Sequence, residues 1–183
     1  GKVGNPGLGY NVLTVGNHGL LNSLNDNSGY VVVDGPAKPN LVAVGSNVEI
    51  PGFTGENFGT SISTAIMTGM ITALMSQYSD LIGNPGKVMA LTMASCAPVT
   101  GTLGNTETNG LNEKWGTGLF NYGQAVQGKN SIYVVNNTNT LNAVGGVLVG
   151  TLPWGFTIGK PIRISAYWQA NATGNSSETS KTT

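Results

Sequence analysis

The chain has 183 residues, of which 39% are hydrophobic and 9% charged, and its formal net charge is zero. This length suits one full domain, or part of one domain followed by the start of another. The apolar share supports a packed core and excludes a disordered chain, and the lack of a Lys/Arg-rich stretch excludes nucleic acid as an expected partner. Gly, Asn, Ser and Thr supply most of the polarity, which indicates a secreted or cell-surface protein.

Three short runs near the start of the chain predict strands, over residues 11–16, 30–33 and 41–44. Their apolar residues are consecutive rather than alternating, which is typical of a parallel sheet covered on both faces. Polar loops join these runs and hold His18, Asp26 and Asp34, which we expect to be solvent-exposed.

Two helices are predicted next. The first covers residues 60 to about 78, which include good helix formers and no charge, and Gly59 precedes it. Its many Ser and Thr residues make it too polar for a membrane span, so we expect a helix buried in the protein. The second begins at Asn84-Pro85, a capping residue followed by proline in the first turn, and runs towards Cys96. Cys96, the single cysteine, lies in an apolar stretch and is expected to be buried, with no metal or disulfide role.

The pattern changes beyond Trp115, where strands are predicted over residues 132–135, 147–149 and 162–168. The last of these alternates apolar and polar side chains, as a half-buried antiparallel strand does. We therefore expect an α/β domain over residues 1–130, and a β-rich, sandwich-like segment over residues 131–183 that is itself truncated.

One segment carries a chemical signal, Gly59-Thr60-Ser61 at the start of the long predicted helix. A serine there lies beside unpaired backbone N–H groups and the positive end of the helix dipole, which can hold an oxyanion during acyl transfer. Gly59 would let a substrate approach closely. Thr and Ser are also ordinary helix caps, so these residues alone leave both interpretations open.

Five segments, in order, resemble the subtilisin-like serine peptidases. The segment from Gly59 to Ala65, with Gly69 beyond it, is similar to the nucleophile signature of that family, Gly-Thr-Ser-Met-Ala-x-Pro followed by a glycine. The other four are Gly4-Asn-Pro-Gly7, Asn11-Val-Leu-Thr-Val-Gly16, Lys38-Pro-Asn-Leu-Val-Ala-Val-Gly45 and Trp115-Gly-Thr-Gly-Leu-Phe-Asn121. They cover residues 4 to about 127. More weakly, residues 160–168 resemble the strand that opens a β-sandwich in secreted members of the family.

The resemblance implies part of a doubly wound parallel-sheet α/β domain that hydrolyses peptide bonds through a Ser-His-Asp triad. Ser61 would be the nucleophile, its backbone N–H one oxyanion donor, and Thr60 and Gly59 would shape the oxyanion hole. Gly4 would line the pocket for the residue that precedes the scissile bond. The Asp, the His and the oxyanion Asn of the family would come from an N-terminal portion of the same precursor. Family members often bind calcium, and no other cofactor is implied.

The chain also departs from the family pattern. Ser63 and Ala65 replace Ala and Pro, while Asn40 and Val44 replace Asp and Pro. These changes leave an alternative open, a catalytically inactive subtilisin-like scaffold that serves in binding or surface adhesion. His18 stands in the wrong place in the chain for the catalytic base of the family. We interpret both ends of the chain as cut or processed, and we expect it to aggregate, dimerise or require its other half.

Overall fold

A computed structural model describes residues 2–19, 28–30, 38–55, 57–99, 111–132, 142–144, 147–149, 159 and 163–167. In these residues two strands are followed by two helices, two further strands and a third helix, and a hairpin comes last. The elements are β1 (Val15–His18), β2 (Leu41–Val44), α1 (Thr60–Gln77), α2 (Pro85–Ala94), β3 (Cys96–Ala97), β4 (Leu119–Phe120), α3 (Tyr122–Gly128), β5 (Asn142–Val144) and β6 (Val147–Val149).

Four strands form one sheet in the order β1-β2-β4-β3. β1 pairs with β2 in parallel from Val15 opposite Leu41 to His18 opposite Val44, and β2 pairs with β4 in parallel. Only β3 runs antiparallel to its neighbour, β4. Helix α1 packs on β1 and β2. This mixed α/β architecture with a mainly parallel sheet confirms the α/β part of the predicted fold class, while the β-rich segment after it stays a prediction.

The first strand lies further along the chain than predicted. Residues 11–14 are not in a strand, because the Thr14 hydroxyl donates to the Gly7 carbonyl and the Thr14 N–H donates to Oδ1 of Asn40. The strand then continues through the polar residues Asn17 and His18, which are buried. The second predicted strand, Leu41–Val44, is confirmed. Of the strand predicted over residues 30–33, only Tyr30 is described, and it is not in a strand.

The long helix agrees with the prediction and ends at Gln77. It buries Ser63, Met67 and Leu74, but the expectation of a buried helix is wrong for the described residues, because most other side chains of α1 are exposed. α2 begins at Pro85 as predicted, but the Asn84 side chain donates to the carbonyl oxygens of Asp80 and Ile82 rather than capping the helix. No helix in the described ranges is long and apolar enough to cross a membrane.

The C-terminal part contains an antiparallel hairpin, in which Ala143 of β5 lies opposite Leu148 of β6. The predicted strand over residues 147–149 is thus confirmed. Residues 163–167 are described but do not form a strand, which contradicts the prediction for the centre of residues 162–168. Instead, the Arg163 guanidinium donates to the carbonyl oxygens of Cys96 and Thr117. Residues 133–135 lie outside the described residues, and the boundary near residue 130 stays a prediction.

Candidate active site

Ser61 is the second residue of α1, and its side chain is exposed. Among the described residues, neither its hydroxyl nor the backbone N–H groups of Thr60 and Ser61 have a hydrogen-bond partner within the protein. The next two N–H groups, those of Ile62 and Ser63, donate to the Gly59 carbonyl at 3.1 and 3.3 Å. The site therefore offers a free hydroxyl beside two unused N–H donors at the positive end of a helix of 18 residues.

Backbone hydrogen bonds fix the start of this helix to the carboxyl ends of two parallel strands. The Gly59 N–H donates to the Gly45 carbonyl at 2.8 Å, and the Gly45 N–H donates to the carbonyl of His18, the last residue of β1, at 3.0 Å. Gly59 itself has φ 154° and ψ 158°, a conformation that residues with a side chain rarely adopt. Ser61 thus lies where ligands bind in open α/β sheets, just outside the carboxyl ends of the strands.

A buried polar cluster lies directly beneath this turn and consists of Asn17, Ser46 and Ser63, which we call the Asn17 cluster. The Asn17 Nδ2 atom donates to Ser46 Oγ at 2.9 Å, and the Ser63 hydroxyl reaches Asn17 Oδ1 at 3.4 Å. Asn17 and Ser46 are not among the predicted site residues, because the first strand is predicted to end at Gly16. The polar residue directly after an apolar strand is the signal in the sequence that points to Asn17.

His18 is buried in a strand, whereas the sequence predicts an exposed loop residue at this position. It is the last residue of β1 and is completely buried, because the strand carries it into the interior. Among the residues that the structure describes, neither ring nitrogen has a hydrogen-bond partner, so His18 makes no hydrogen bond to Ser61. Burial lowers the pKa of the imidazole. His18 is therefore a neutral core residue at physiological pH.

Gly4 lies in the loop that precedes β1 and is exposed, with open space where a side chain would begin. Within this loop the Gly9 N–H donates to the Pro6 carbonyl and the Thr14 hydroxyl donates to the Gly7 carbonyl. The loop is also bonded to Lys38 through the Val12 carbonyl and to Tyr167 through the Asn11 side chain, and no hydrogen bond within the described residues joins it to α1. The role of Gly4 in substrate binding stays a prediction.

Two exposed phenylalanines precede Ser61 along the chain. Phe53 is 71% exposed and lines an open groove of about 530 Å³ formed by residues between Asn47 and Asn57. Phe58 is 54% exposed and stands directly before Gly59. Apolar side chains are thus presented to solvent in the segment that leads to the candidate nucleophile.

Among the described residues, the other titratable side chains do not supply a catalytic base or acid beside Ser61. Cys96 is buried as predicted, and burial raises the pKa of its thiol to about 11. Over the described ranges, no His, Asp or Glu side chain bonds to Ser61, and no group of three possible metal ligands occurs. Asp26 and Asp34 lie outside the described residues.

The Subtilase family profile matches residues 1–118 of the chain. Among solved structures, the CspB protease of Clostridium perfringens gives a TM-score of 0.57 at 22% identity, over 72% of this chain and 30% of that one. MycP1 with the N-terminal propeptide removed gives 0.51 at 22% identity, over 67% of this chain and 38% of that one. Prenylagaramide maturation protease PagA gives 0.51 at 23% identity, over 67% of this chain and 44% of that one. No curated protein sequence matches the chain.

The chain spans less than half the length of each of these three proteases. At such identities the structural likeness shows a shared fold, the α/β fold of subtilisin-like proteases. The family match is independent of it and covers more than half of the chain, including the turn at Ser61. The chain belongs to the subtilase family.

Proposed function

We propose that the chain is the part of a subtilisin-like serine endopeptidase that carries the nucleophile, Ser61, and that it acts on protein or peptide substrates. The observation that carries this proposal is the exposed Ser61 hydroxyl beside the unused N–H groups of Thr60 and Ser61. An acyl-transfer enzyme needs this combination of nucleophile and preorganised oxyanion donors. By its composition, the enzyme would work outside the cell or at its surface.

In the proposed reaction, Ser61 Oγ attacks the carbonyl carbon of the scissile peptide bond. A histidine takes the hydroxyl proton and passes it to the leaving amine, and an aspartate orients that histidine. The oxyanion is held by the Ser61 N–H and by an asparagine side chain, with Thr60 and Gly59 shaping the hole. Water then hydrolyses the acyl-enzyme and frees Ser61. The Asp, His and Asn would come from an N-terminal portion of the same precursor.

The exposed face of α1 supports the need for such a second portion. The residues of this face are small and uncharged: Thr64, Ala65, Thr68, Gly69, Thr72 and Ala73. Its three threonine hydroxyls donate to carbonyl oxygens four residues earlier, at 2.7 to 2.8 Å. Because these hydroxyls are satisfied within the helix, the face can be covered by protein without leaving buried polar groups unpaired. We infer that the N-terminal portion packs on it.

The alternative function is an inactive scaffold for binding or surface adhesion. The serine at position 63 favours the inactive scaffold, because the family has alanine at this position and the Ser63 hydroxyl points to Asn17 inside the protein. A buried hydroxyl so close to the nucleophile could belong to a site released from selection for catalysis.

A fluorophosphonate probe, which labels an activated serine, separates the two functions. We would treat the chain alone, and the chain mixed with the preceding portion of its precursor, and use Ser61→Ala and Ser76→Ala as matched variants. Ser76 is also an exposed serine of α1, near its other end. Labelling in the mixture that is lost only in Ser61→Ala supports the peptidase. A folded mixture that does not label refutes it and favours the scaffold.

A further inference from the structure

The Asn17 cluster joins three separate segments of the chain at one point. Asn17 lies in β1, Ser46 follows the turn after β2, and Ser63 lies in the first turn of α1. Their exposed fractions are 2%, 8% and 0%. Burying polar side chains this deeply costs free energy unless they are hydrogen-bonded, and these three are bonded to one another.

The Asn17 carboxamide is the centre of the cluster. Its Oδ1 atom accepts from the Ser46 hydroxyl at 3.2 Å and from the Ser63 hydroxyl at 3.4 Å, while Nδ2 donates to Ser46 Oγ at 2.9 Å. The Asn17 backbone N–H donates to the Ser28 hydroxyl at 3.0 Å, which holds the residue in place from the other side. The amide is thus fixed by partners outside its own strand, and Ser63 is its link to α1.

Ser63 is in turn tied to the turn that carries Ser61. Its backbone N–H donates to the Gly59 carbonyl at 3.3 Å, and its hydroxyl lies 3.5 Å from the same oxygen. The Ser63 side chain is closely packed against Gly45, since a Cβ atom on Gly45 would lie 2.0 Å from Ser63 Oγ and 2.7 Å from Asn17 Oδ1. A shift of Ser63 would therefore require the first turn of α1 to shift or rotate.

We propose that Asn17 is a positioning residue for the nucleophile. Through Ser63 it sets the rotation of the first turn of α1, and so the direction of Ser61 Oγ and of the Ser61 N–H. This inference rests on the proposed function, since it assigns a role within the same site. Misplacing reacting groups by about 1 Å lowers rates by about 100-fold, so a single buried hydrogen bond at this position affects catalysis.

The test compares Asn17→Ala, Ser63→Ala and the double variant in the chain assembled with its preceding portion. Asn17→Ala leaves the Ser63 hydroxyl with only its long contact to the Gly59 carbonyl. We expect the rate of fluorophosphonate labelling, and kcat for a peptide substrate, to fall about 10- to 100-fold with little change in KM. The double variant is expected to be no worse than Asn17→Ala, because both changes break the same link.

Val88→Ala is the matched control, because Val88 is buried in α2 and its truncation lowers stability without touching the cluster. We expect the folded fraction of this control to label at the unaltered rate. Normal labelling of folded Asn17→Ala, or effects of the two single changes that multiply in the double variant, would overturn the proposal.

Hydrogen exchange provides a readout that does not depend on activity. The amides of Ile62 and Ser63, which donate to the Gly59 carbonyl, are expected to exchange faster in Asn17→Ala and at unaltered rates in Val88→Ala. If the unaltered assembly does not label, the proposed peptidase function fails, and the exchange rates still decide whether Asn17 fixes the turn. Equal exchange in both variants would refute the positioning role.

Discussion

The ammonium group of Lys38 lies 3.0 Å from Oδ1 of Asn40 and 2.6 Å from the carbonyl oxygen of Val12, inside the protein. Lys38 is 2% exposed, and burial lowers the pKa of its ammonium from 10.5 to about 8. The subtilisin-like pattern has an aspartate where this chain has Asn40, so an amide stands in place of a carboxylate.

Replacing Asn40 by Asp should stabilise the protein at neutral pH. The carboxylate can keep both hydrogen bonds of the amide oxygen, from Lys38 Nζ and the Thr14 N–H, while adding a countercharge. Urea unfolding at pH 7 measures the effect. In a Lys38→Met background the same change should destabilise the protein, because the carboxylate would then lack its cation. Equal effects in both backgrounds would contradict the pairing.

Lys38 also predicts how stability depends on pH. The folded protein releases this proton near pH 8 and the unfolded chain near pH 10.5, so the unfolded state binds more protons between these values. The Lys38 contribution to the free energy of unfolding therefore rises with pH across this window, by up to about 3 kcal/mol. The difference in stability between the unaltered chain and Lys38→Met should follow this rise. A difference independent of pH would rule it out.

His18 predicts how the stability of the protein depends on pH in the acidic range. Burial lowers its pKa below the ordinary value of 6.5, so below that value the unfolded chain binds a proton that the folded protein does not. Stability should fall as the pH decreases from about 6.5, until the folded imidazole is protonated too. Because the chain has one histidine, His18→Val is a clean comparison and should flatten the curve below about pH 6.5. Thermal unfolding at several pH values measures it, and parallel curves would contradict the prediction.

Gly45 and Gly69 should respond oppositely to alanine. At Gly45 the added Cβ would lie 2.0 Å from Ser63 Oγ and 2.7 Å from the Gly59 carbonyl oxygen, so we expect a loss of stability of about 3 kcal/mol or more. Gly69 lies inside α1 with nothing within 4 Å of its Cβ position, and alanine there should add up to about 1 kcal/mol. Chemical denaturation of the two variants measures the contrast. Similar changes in both would count against the close packing at Gly45.

A bulky residue at position 69 tests whether the exposed face of α1 is covered by the preceding portion. Gly69→Trp should leave the chain folded but weaken its association with that portion at least about 10-fold, because the side chain would stand between the packed surfaces. Ile82→Trp is the control, since Ile82 is 59% exposed and lies outside α1. Association is measured by calorimetry with the two purified portions. Unaltered affinity in Gly69→Trp would place the contact surface elsewhere.

Several features of this protein could be predicted from the sequence because local interactions determine them. The uncharged run after Gly59 and the proline at position 85 specify where helices begin, and the apolar run Leu41–Val44 specifies a strand. For the helices and the strand, neighbouring residues carry the signal through backbone propensity and steric restriction. The family and the candidate nucleophile are indicated by five segments together, of which the one around Ser61 is only a part.

Only the tertiary structure decided which polar residues are buried. Asn17 and His18 follow the apolar run that was predicted as a strand, yet they extend β1 because Ser28, Ser46 and Ser63 supply hydrogen bonds to Asn17 from distant positions. Lys38 likewise enters the interior because the Val12 carbonyl and Oδ1 of Asn40 accept hydrogen bonds from its ammonium group. Burying a polar group is unfavourable unless partners replace water, and those partners come together only when distant segments fold against one another.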